Sequence, residues 1–252
     1  MRLPLIAGNW KMHGTIRESV DLAKALRTAL ENFEGPEVLV APPYLALAGT
    51  RRVFEGTKIK LGAQDMHWEP KGAFTGEVSS TMLKDVGVTH VIIGHSERRH
   101  IIGESNDLIN KKVRAAIAAA LTPILCVGEL LEERNMKVTK EVVERQTTKA
   151  LEGVSPADAS SVVMAYEPVW AIGTGLTATP FVAQETHHFI RNVLSRVVGA
   201  GVAENMRILY GGSVKADNAK ELMGQPDVDG LLVGGASLDA AAFNKIARYK
   251  ES

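Results

Sequence analysis

The chain has 252 residues, of which 45% are apolar and 23% charged, and its 29 basic residues balance its 29 acidic ones. This is the composition of a globular protein that is large enough to bury its own core. A formal net charge of zero gives no sign of a nucleic-acid or anionic-membrane partner. The single cysteine, Cys126, excludes an internal disulfide and is typical of a reducing compartment. Because no run of 18 uninterrupted apolar residues is present, we predict no transmembrane helix and expect a cytoplasmic protein.

Eight short apolar runs recur along the chain, and each ends in a polar or glycine-containing junction. Continuous rather than alternating apolarity is typical of parallel strands that are covered on both faces. The eight predicted strands are Leu5–Ala7, Val38–Ala41, Ile59–Ala63, Val91–Ile93, Ile124–Val127, Val162–Ala165, Ile208–Tyr210 and Leu231–Val233.

Amphipathic stretches with helical spacing lie between these strands. The clearest are Arg17–Leu30, Leu108–Ala120, Lys137–Leu151 and Phe181–Val198. The alternation of strand and helix predicts an α/β fold with right-handed crossovers. Eight such units favour a closed (β/α)8 barrel that residues 1–252 form as a single domain. An open, doubly wound sheet remains the alternative, since periodicity does not show closure.

In such a barrel the acting residues lie where the carboxyl ends of the strands meet the following loops. Asn9 and Lys11 follow the first predicted strand, and His95 follows the fourth. Glu129 follows the fifth strand and Glu167 the sixth. Polar side chains therefore gather at one end of the predicted barrel.

Glu167 is followed by a stiff and then flexible segment, from Pro168 to Gly175. This pattern indicates a catalytic base under a lid at about residues 168–178. A surface glutamate before an ordinary glycine loop has the same pattern. The stretch Gly173–Ala178 also fits the dinucleotide pattern G-x-G-x-x-A. We reject that interpretation because the glycines do not directly follow a strand and Asn192–Val198 contains no acid.

His95 lies between a strand that ends at Ile93 and a helix predicted to begin near Ser96, a good N-cap residue. A helix N-terminus disfavours the imidazolium, so we expect His95 to stay neutral and to donate a hydrogen bond to a carbonyl. The alternative is an ordinary turn histidine. The ammonium of Lys11 could attract an anion and stabilise a developing oxyanion, or it could be a surface charge.

Other charged residues receive structural interpretations. We expect Glu97 and Glu129 to have structural or supporting roles, because acids in a first helical turn commonly interact with the helix dipole. The basic pairs Arg51–Arg52, Arg98–Arg99 and Lys111–Lys112 are scattered, and we expect them to be solvated.

Glycine-rich turns follow the last two predicted strands, at Gly211–Ser213 and Gly234–Ser237. Glycines let backbone N–H groups approach an anion, and a helix N-terminus adds partial positive charge. Phosphate sites recur at these two positions in barrels. The sequence thus predicts a phosphate site, although the glycines could also serve tight turns alone.

Five segments together, in chain order, resemble the triosephosphate isomerase family. They are Ala7–Met12, Gly94–Arg99, Ala165–Gly175, Tyr210–Val214 and Leu232–Leu238. The resemblance spans nearly the whole chain. It implies a TIM barrel that interconverts dihydroxyacetone phosphate and D-glyceraldehyde 3-phosphate through an enediol(ate), in glycolysis and gluconeogenesis, with neither a cofactor nor a metal.

The resemblance also implies a role for each site residue. Glu167 is the base and His95 the electrophile, and this pairing of a glutamate with a neutral histidine is the known arrangement of that family. Asn9 and Lys11 lie beside the substrate oxygens. The phosphate-binding residues it implies are Gly173, Ser213, Gly234 and Gly235, with Ser96, Glu97 and Tyr210 in supporting positions.

A homodimer is also implied, in which residues 64–77 form an interdigitating loop and Thr75 reaches the partner subunit. Three residues depart from the family's usual pattern. His13 stands where asparagine is more usual, and so does Asp65. Thr177 replaces a frequent lysine at the end of the lid, where it could alter lid opening.

Two other function classes remain open. One is a different phosphate-binding barrel enzyme, such as a sugar-phosphate isomerase or an aldolase. Such enzymes typically lack the combination of Asn9, Lys11, His95 and Glu167, and an aldolase needs a Schiff-base lysine within a strand. The other is a non-catalytic protein on an inactive barrel, which the absence of a base or lid would have favoured.

Overall fold

The computed structural model describes residues 2–173 and 176–251. Thr174 and Gly175 of the predicted lid therefore lie outside the described residues. Eight parallel strands pair in chain order, and the last pairs with the first, so the sheet is a closed barrel. They are β1 Leu5–Asn9, β2 Glu37–Ala41, β3 Lys60–Ala63, β4 His90–Ile93, β5 Thr122–Val127, β6 Val163–Tyr166, β7 Ile208–Tyr210 and β8 Gly230–Val233. The predicted (β/α)8 barrel is confirmed, and the open sheet is excluded.

Helices follow the strands and cover the outside of the barrel. Those in the described part of the chain are α1 Ile16–Ala29, α2 Leu47–Phe54, α3 Ser80–Val86, α4 Asn106–Ala118, α5 Leu131–Asn135, α6 Thr139–Ala150, α7 Pro156–Ala159, α8 Pro180–Val198, α9 Ala200–Asn205, α10 Ala219–Met223 and α11 Ala240–Ala247. Short 3₁₀ turns lie at Tyr44–Ala46, Val169–Ala171 and Gly235–Leu238, and a π-helical turn at Arg98–Ile102. The four helices predicted from periodicity are α1, α4, α6 and α8, and their ends differ from the prediction by at most two residues.

The apolar residues pack in two layers. A smaller cluster fills the barrel interior, and a larger one lies between the strands and the helices. The interior cluster contains Leu5, Ala7, Leu39, Ala41, Ile92, Ile124, Cys126, Val163, Ala165, Leu209 and Leu232. Both faces of each strand are therefore buried, which explains the continuous apolar runs of the sequence.

Lys112 and Arg98 belong to a buried ion cluster, and the Arg99 guanidinium donates to Gly94, Asn106 and Cys126, so the prediction that these three basic residues are solvated was wrong. Lys112 Nζ lies 2.8 and 2.7 Å from the carboxylate oxygens of Asp65 and 2.5 Å from Glu104. Arg98 Nε contacts the same two acids at 2.9 and 2.6 Å. Burial raises the pKa of Asp65. Lys112 occupies a core-facing position of α4, where charge pairing offsets its desolvation.

Among residues 2–173 and 176–251, no helix combines the length and the apolarity needed to cross a bilayer.

Candidate active site

A cavity of about 320 Å3 lies at the carboxyl-terminal end of the barrel. Every residue predicted to be catalytic or substrate-binding lines it: Asn9, Lys11, His95, Glu167, Gly173, Ser213, Gly234 and Gly235. A larger groove of about 900 Å3 opens at the opposite end, near the first residues of β2 and β3, and none of the predicted catalytic residues lines it. The smaller cavity is therefore the candidate active site.

Glu167 follows β6 directly and is only 2% exposed. Its Oε2 accepts a hydrogen bond from the backbone N–H of Ser96 at 2.9 Å. Its Oε1 lies 2.8 Å from Nε2 of His95, but this approach lacks hydrogen-bond geometry and Oε1 has no hydrogen-bond partner. One carboxylate oxygen is thus held by a backbone N–H, and the other is shielded from water and lies in ion-pair contact with the His95 ring.

His95 follows β4, and its ring is fixed from behind. The backbone N–H of Glu97 lies 3.2 Å from Nδ1, which accepts the hydrogen bond. In a neutral ring the proton then resides on Nε2, the nitrogen next to Glu167. The helical turn does begin near Ser96, but it has no Ser96 side-chain cap. His95 takes the capping position, because its carbonyl and its ring both accept hydrogen bonds from the first turn.

The pKa values of the pair move in opposite directions. Burial raises the pKa of Glu167, but the imidazole of His95 and the Ser96 N–H outweigh burial and bring it below its ordinary value. Burial lowers the pKa of His95, and the carboxylate of Glu167 outweighs this and raises it. The close carboxylate thus favours the imidazolium, whereas the hydrogen bond to Nδ1 favours the neutral ring. The neutrality of His95 stays a prediction.

Lys11 reaches the cavity from the loop after β1, on a backbone with φ of 51°. This left-handed conformation is uncommon for a residue with a side chain, and such strain concentrates at functional sites. The Lys11 N–H donates to Oδ1 of Asn9 at 3.0 Å, and Gln64 Nε2 donates to the Lys11 carbonyl at 2.7 Å. The ammonium lies 2.6 Å from the carboxylate of Glu97. Glu97 thus supports Lys11, a contact that the sequence did not indicate.

The glycine-rich turns after β7 and β8 form one wall of the cavity. A 3₁₀ turn at Gly235–Leu238 begins at this wall, and the start of a helical turn can offer backbone N–H groups to an anion. Gly212 has no room for a side chain, since a Cβ there would lie 2.2 Å from the Tyr210 hydroxyl oxygen and 2.9 Å from Pro168. Tyr210 therefore packs behind the turn rather than in the cavity. Burial raises the pKa of this tyrosine to about 12.

Glu129 anchors the segment that follows Glu167. It is fully buried and accepts hydrogen bonds from Trp170 Nε1 at 2.8 Å and from the Tyr166 hydroxyl at 3.1 Å. Burial raises its pKa, although the Trp170 N–H lowers it. These contacts support the expected structural role of Glu129. The expected interaction with a helix dipole is replaced by hydrogen bonds to two side chains.

Two contacts of Glu167 were missed by sequence reasoning. The Ser96 N–H holds its carboxylate, and Gly128 packs against its backbone so closely that a Cβ would lie 1.7 Å from its carbonyl oxygen. The only sequence signal for the second contact is the glycine that directly follows β5.

Within the described ranges, no group of three or more His, Cys, Asp or Glu side chains is arranged as a metal site.

Comparison with known proteins agrees with this geometry. A family model described as triosephosphate isomerase matches residues 4–250. A triosephosphate isomerase of Pelobacter propionicus is 52% identical over 250 residues, which cover 99% of this chain and 100% of the relative. The triosephosphate isomerase of Carboxydothermus hydrogenoformans is 53% identical over 248 residues, which cover 98% of this chain and 99% of the relative. The triosephosphate isomerase of Thermoanaerobacter pseudethanolicus is 52% identical over 249 residues, which cover 99% of this chain and 100% of the relative. With a family match over nearly its whole length and relatives that align from end to end, the chain belongs to the triosephosphate isomerase family.

Proposed function

We propose that Glu167 moves a proton between the two adjacent carbons of a triose phosphate. The reaction is that of the family, the interconversion of dihydroxyacetone phosphate and D-glyceraldehyde 3-phosphate in glycolysis and gluconeogenesis. The observation that carries the role of Glu167 is its Oε1, which is buried, has no hydrogen-bond partner and lies 2.8 Å from His95 Nε2. A carboxylate oxygen that is shielded from water and accepts no aligned hydrogen bond is suited to take a carbon-bound proton.

The proton transfer has two halves. Glu167 takes the proton from the carbon next to the carbonyl, and the bond's electron pair moves to the carbonyl oxygen. The Nε2–H of His95 and the ammonium of Lys11 stabilise the resulting enediolate, while Asn9 lies beside the substrate oxygens. The proton of the adjacent hydroxyl passes to the former carbonyl oxygen, and Glu167 returns its proton to the former carbonyl carbon, which leaves the new carbonyl where the hydroxyl was. The substrate carbonyl accepts the electrons, so the step needs no cofactor.

The phosphate group occupies the glycine-rich end of the cavity. Gly173, Ser213, Gly234 and Gly235 line this end and can offer backbone N–H groups to it. A Cβ at Gly234 would lie 3.5 Å from Lys11 Cε, so the phosphate and the ammonium share one compact site. Binding at this end fixes the reacting carbons against Oε1 of Glu167.

Residues 168–178 serve as a lid. Trp170, bound by Glu129, anchors the side next to the base. Ala178, which is buried in the apolar cluster outside the strands, anchors the other side. Closure would exclude water and protect the enediolate from phosphate loss. Deletion of residues 172–176 should therefore raise the proportion of substrate that is converted to methylglyoxal. An unchanged product ratio would remove the lid role.

A homodimer through the loop at residues 64–77 accounts for an exposed apolar surface. Thr75 lies exposed in this loop. The His67 ring stacks on Trp68 and contacts the tilted ring of Phe74, and these contacts hold the loop together. The large apolar side chains exposed on the loop and elsewhere on the chain include Met12, Leu45, Phe74, Met82, Ile101 and Ile102. A dimer would remove part of this surface from water. Sedimentation of a Thr75→Arg variant should show monomers at a concentration where the unmodified chain is a dimer.

A cytoplasmic location also belongs to this proposal, because the lone buried Cys126 suits a reducing compartment.

The decisive experiment is a coupled assay of glyceraldehyde 3-phosphate conversion by the unmodified chain and by Glu167→Gln. Fast turnover that the variant loses supports both the reaction and the base. Turnover that survives in the variant keeps the reaction and removes Glu167 as the base. A folded, unmodified chain without turnover contradicts the proposed substrate, and a screen of other phosphosugars would follow.

A further inference from the structure

Gln146, on α6, makes a two-point contact with a single peptide residue. Its Oε1 accepts the N–H of Gly128 at 2.8 Å, and its Nε2 donates to the carbonyl of the same glycine at 3.1 Å. Gln146 is only 6% exposed, so both hydrogen bonds are shielded from water. Its side-chain amide thus takes the place that a neighbouring strand would have beside Gly128.

Gly128 in turn lies against the backbone of Glu167. A Cβ at this position would lie 1.7 Å from the Glu167 carbonyl oxygen and 2.6 Å from its carbonyl carbon. No side chain fits there, and the two backbones are in direct contact. A movement of Gly128 is therefore transmitted to Glu167.

The residues on either side of Gly128 pair with the segment that carries Glu167. The Glu167 N–H donates to the Val127 carbonyl at 2.8 Å, and the Val169 N–H donates to the Glu129 carbonyl at 3.1 Å. These bonds extend the ladder of β5 and β6 beyond the strand ends. Because peptide groups alternate in direction along an extended chain, those of Gly128 face away from Glu167, and Gln146 binds them there.

We propose that Gln146 is a positioning residue for the reaction, which fixes Glu167 by holding the Gly128 peptide from the side opposite the base. The inference rests on the proposed role of Glu167. Gln146 does not itself contact the cavity; it acts through the backbone of Gly128. A displacement of a catalytic group by about 1 Å can reduce a rate about a hundredfold, so this restraint has a kinetic consequence.

The amide of glutamine is the chemical group that the site requires. Gly128 presents one N–H donor and one C=O acceptor, and the glutamine amide carries an acceptor and a donor side by side that match them. Glutamate has the same shape but lacks the donor, and its charge would face the Gly128 carbonyl and lie near Glu167. Methionine fills the same space and makes neither hydrogen bond.

The test compares Gln146→Met with Asn110→Leu by steady-state kinetics and urea denaturation. Asn110 is a matched control, since its Nδ2 donates to two backbone carbonyls at the end of the same helix, at 2.9 and 2.8 Å, and it does not line the cavity. We expect both variants to lose stability, but only Gln146→Met to lose kcat, by about ten- to a hundredfold, with KM within about threefold. An unchanged kcat in folded Gln146→Met overturns the inference.

A double variant separates positioning from general damage. If Gln146 acts through Glu167, Gln146→Met causes no further loss of kcat in the Glu167→Gln background. An equal further loss in that background overturns the inference. If Gln146→Met does not fold, Gln146→Glu serves instead, with a lowered kcat expected and an unchanged kcat against the inference.

The same experiment distinguishes the two proposals. If Glu167→Gln alone retains full turnover, the proposed base fails and the positioning role fails with it. If Glu167→Gln is inactive while Gln146→Met has normal kcat, only the positioning role fails.

Discussion

Glu129 and Glu167 follow neighbouring strands at the same end of the barrel, and both are almost completely buried. The oxygens of Glu129 accept hydrogen bonds from Tyr166 and Trp170, whereas Oε1 of Glu167 has no hydrogen-bond partner and borders the cavity. Burial raises the pKa of Glu129, but the pKa of Glu167 lies below its ordinary value because of His95 and the Ser96 N–H. Burial is common to both, so the proposed role of Glu167 as a base rests on its Oε1, which borders the cavity beside His95 and accepts no aligned hydrogen bond.

Shortening each carboxylate by one methylene tests this comparison most strongly. Glu167→Asp withdraws the oxygen from the reacting carbon, and we expect kcat to fall at least about a hundredfold. Glu129→Asp weakens contacts that do not face the substrate, and we expect kcat to fall less than about tenfold. Steady-state kinetics of both variants checks this. Equal losses would mean that the two glutamates do not have separate roles.

Gly128→Ala tests how tightly the backbone of Glu167 is held. The new Cβ would lie 1.7 Å from the Glu167 carbonyl oxygen, so one of the two segments must move. We expect a loss of about 1–3 kcal/mol in unfolding free energy and a drop in kcat of about a hundredfold if Glu167 moves by about 1 Å.

Gly201→Ala is the control for that substitution, since a Cβ at this position in α9 would meet no atom within 4 Å. Its kcat should be unchanged, and its stability equal or slightly higher. A Gly128→Ala variant that is as active as this control would show that the Glu167 backbone adapts freely.

Replacing Glu129 with an apolar residue sharpens the other half of the comparison. Glu129→Leu leaves Trp170 Nε1 and the Tyr166 hydroxyl without this acceptor. Loss of the acceptor for the buried Tyr166 hydroxyl costs about 1–3 kcal/mol, so urea denaturation should show a loss of that order. Glu129→Gln keeps an acceptor and should lose less. If both variants lose the same stability, the hydrogen bonds to Glu129 are not what anchors Trp170.

The fold was predictable from the sequence because its determinants are local. Continuous apolar runs mark strands that are buried on both faces, and the alternation with amphipathic stretches limits the topology to a few choices. Lys112 shows the limit of such reasoning. It occupies a core-facing position of α4, but its partner Asp65 is 47 residues away, so no local pattern indicates that it is paired.

The site was predictable to the extent that it depends on position in the barrel. Asn9, Lys11, His95 and Glu167 each follow a strand, and all four line one cavity. The contacts that orient them join distant residues: Lys11 with Glu97, and Ser96 with Glu167, 71 residues apart. The two hydrogen bonds between the Gln146 side chain and the Gly128 backbone could not be predicted from side-chain patterns, because one partner is a glycine.

The smallest expected effect is on the pH dependence of the unfolding free energy. Glu129 and Glu167 should contribute to it with opposite signs, because their pKa values shift in opposite directions. The native pKa of Glu129 lies above the ordinary value of 4.5, because burial disfavours the carboxylate. Between the ordinary and the native pKa, the folded state binds more protons than the unfolded state, so the unfolding free energy falls as pH rises through this interval. Glu167 has the opposite sign, since its lowered native pKa adds stability above the ordinary value that is lost as pH falls.

Glu129→Gln isolates the first effect, because Glu167 is present in both proteins and its contribution cancels in the difference. The unfolding free energy of this variant relative to the unmodified chain should increase as pH is raised from about 4 to 7, by about 1.4 kcal/mol for each tenfold difference in proton affinity. Urea denaturation at a fixed protein concentration measures this. If the unfolding free energy of the variant relative to the unmodified chain instead decreased with pH, the native pKa of Glu129 would be lowered, as in a carboxylate that is stabilised in its charged form. The position of Glu167 at the cavity, with Oε1 beside His95, would still distinguish it from Glu129.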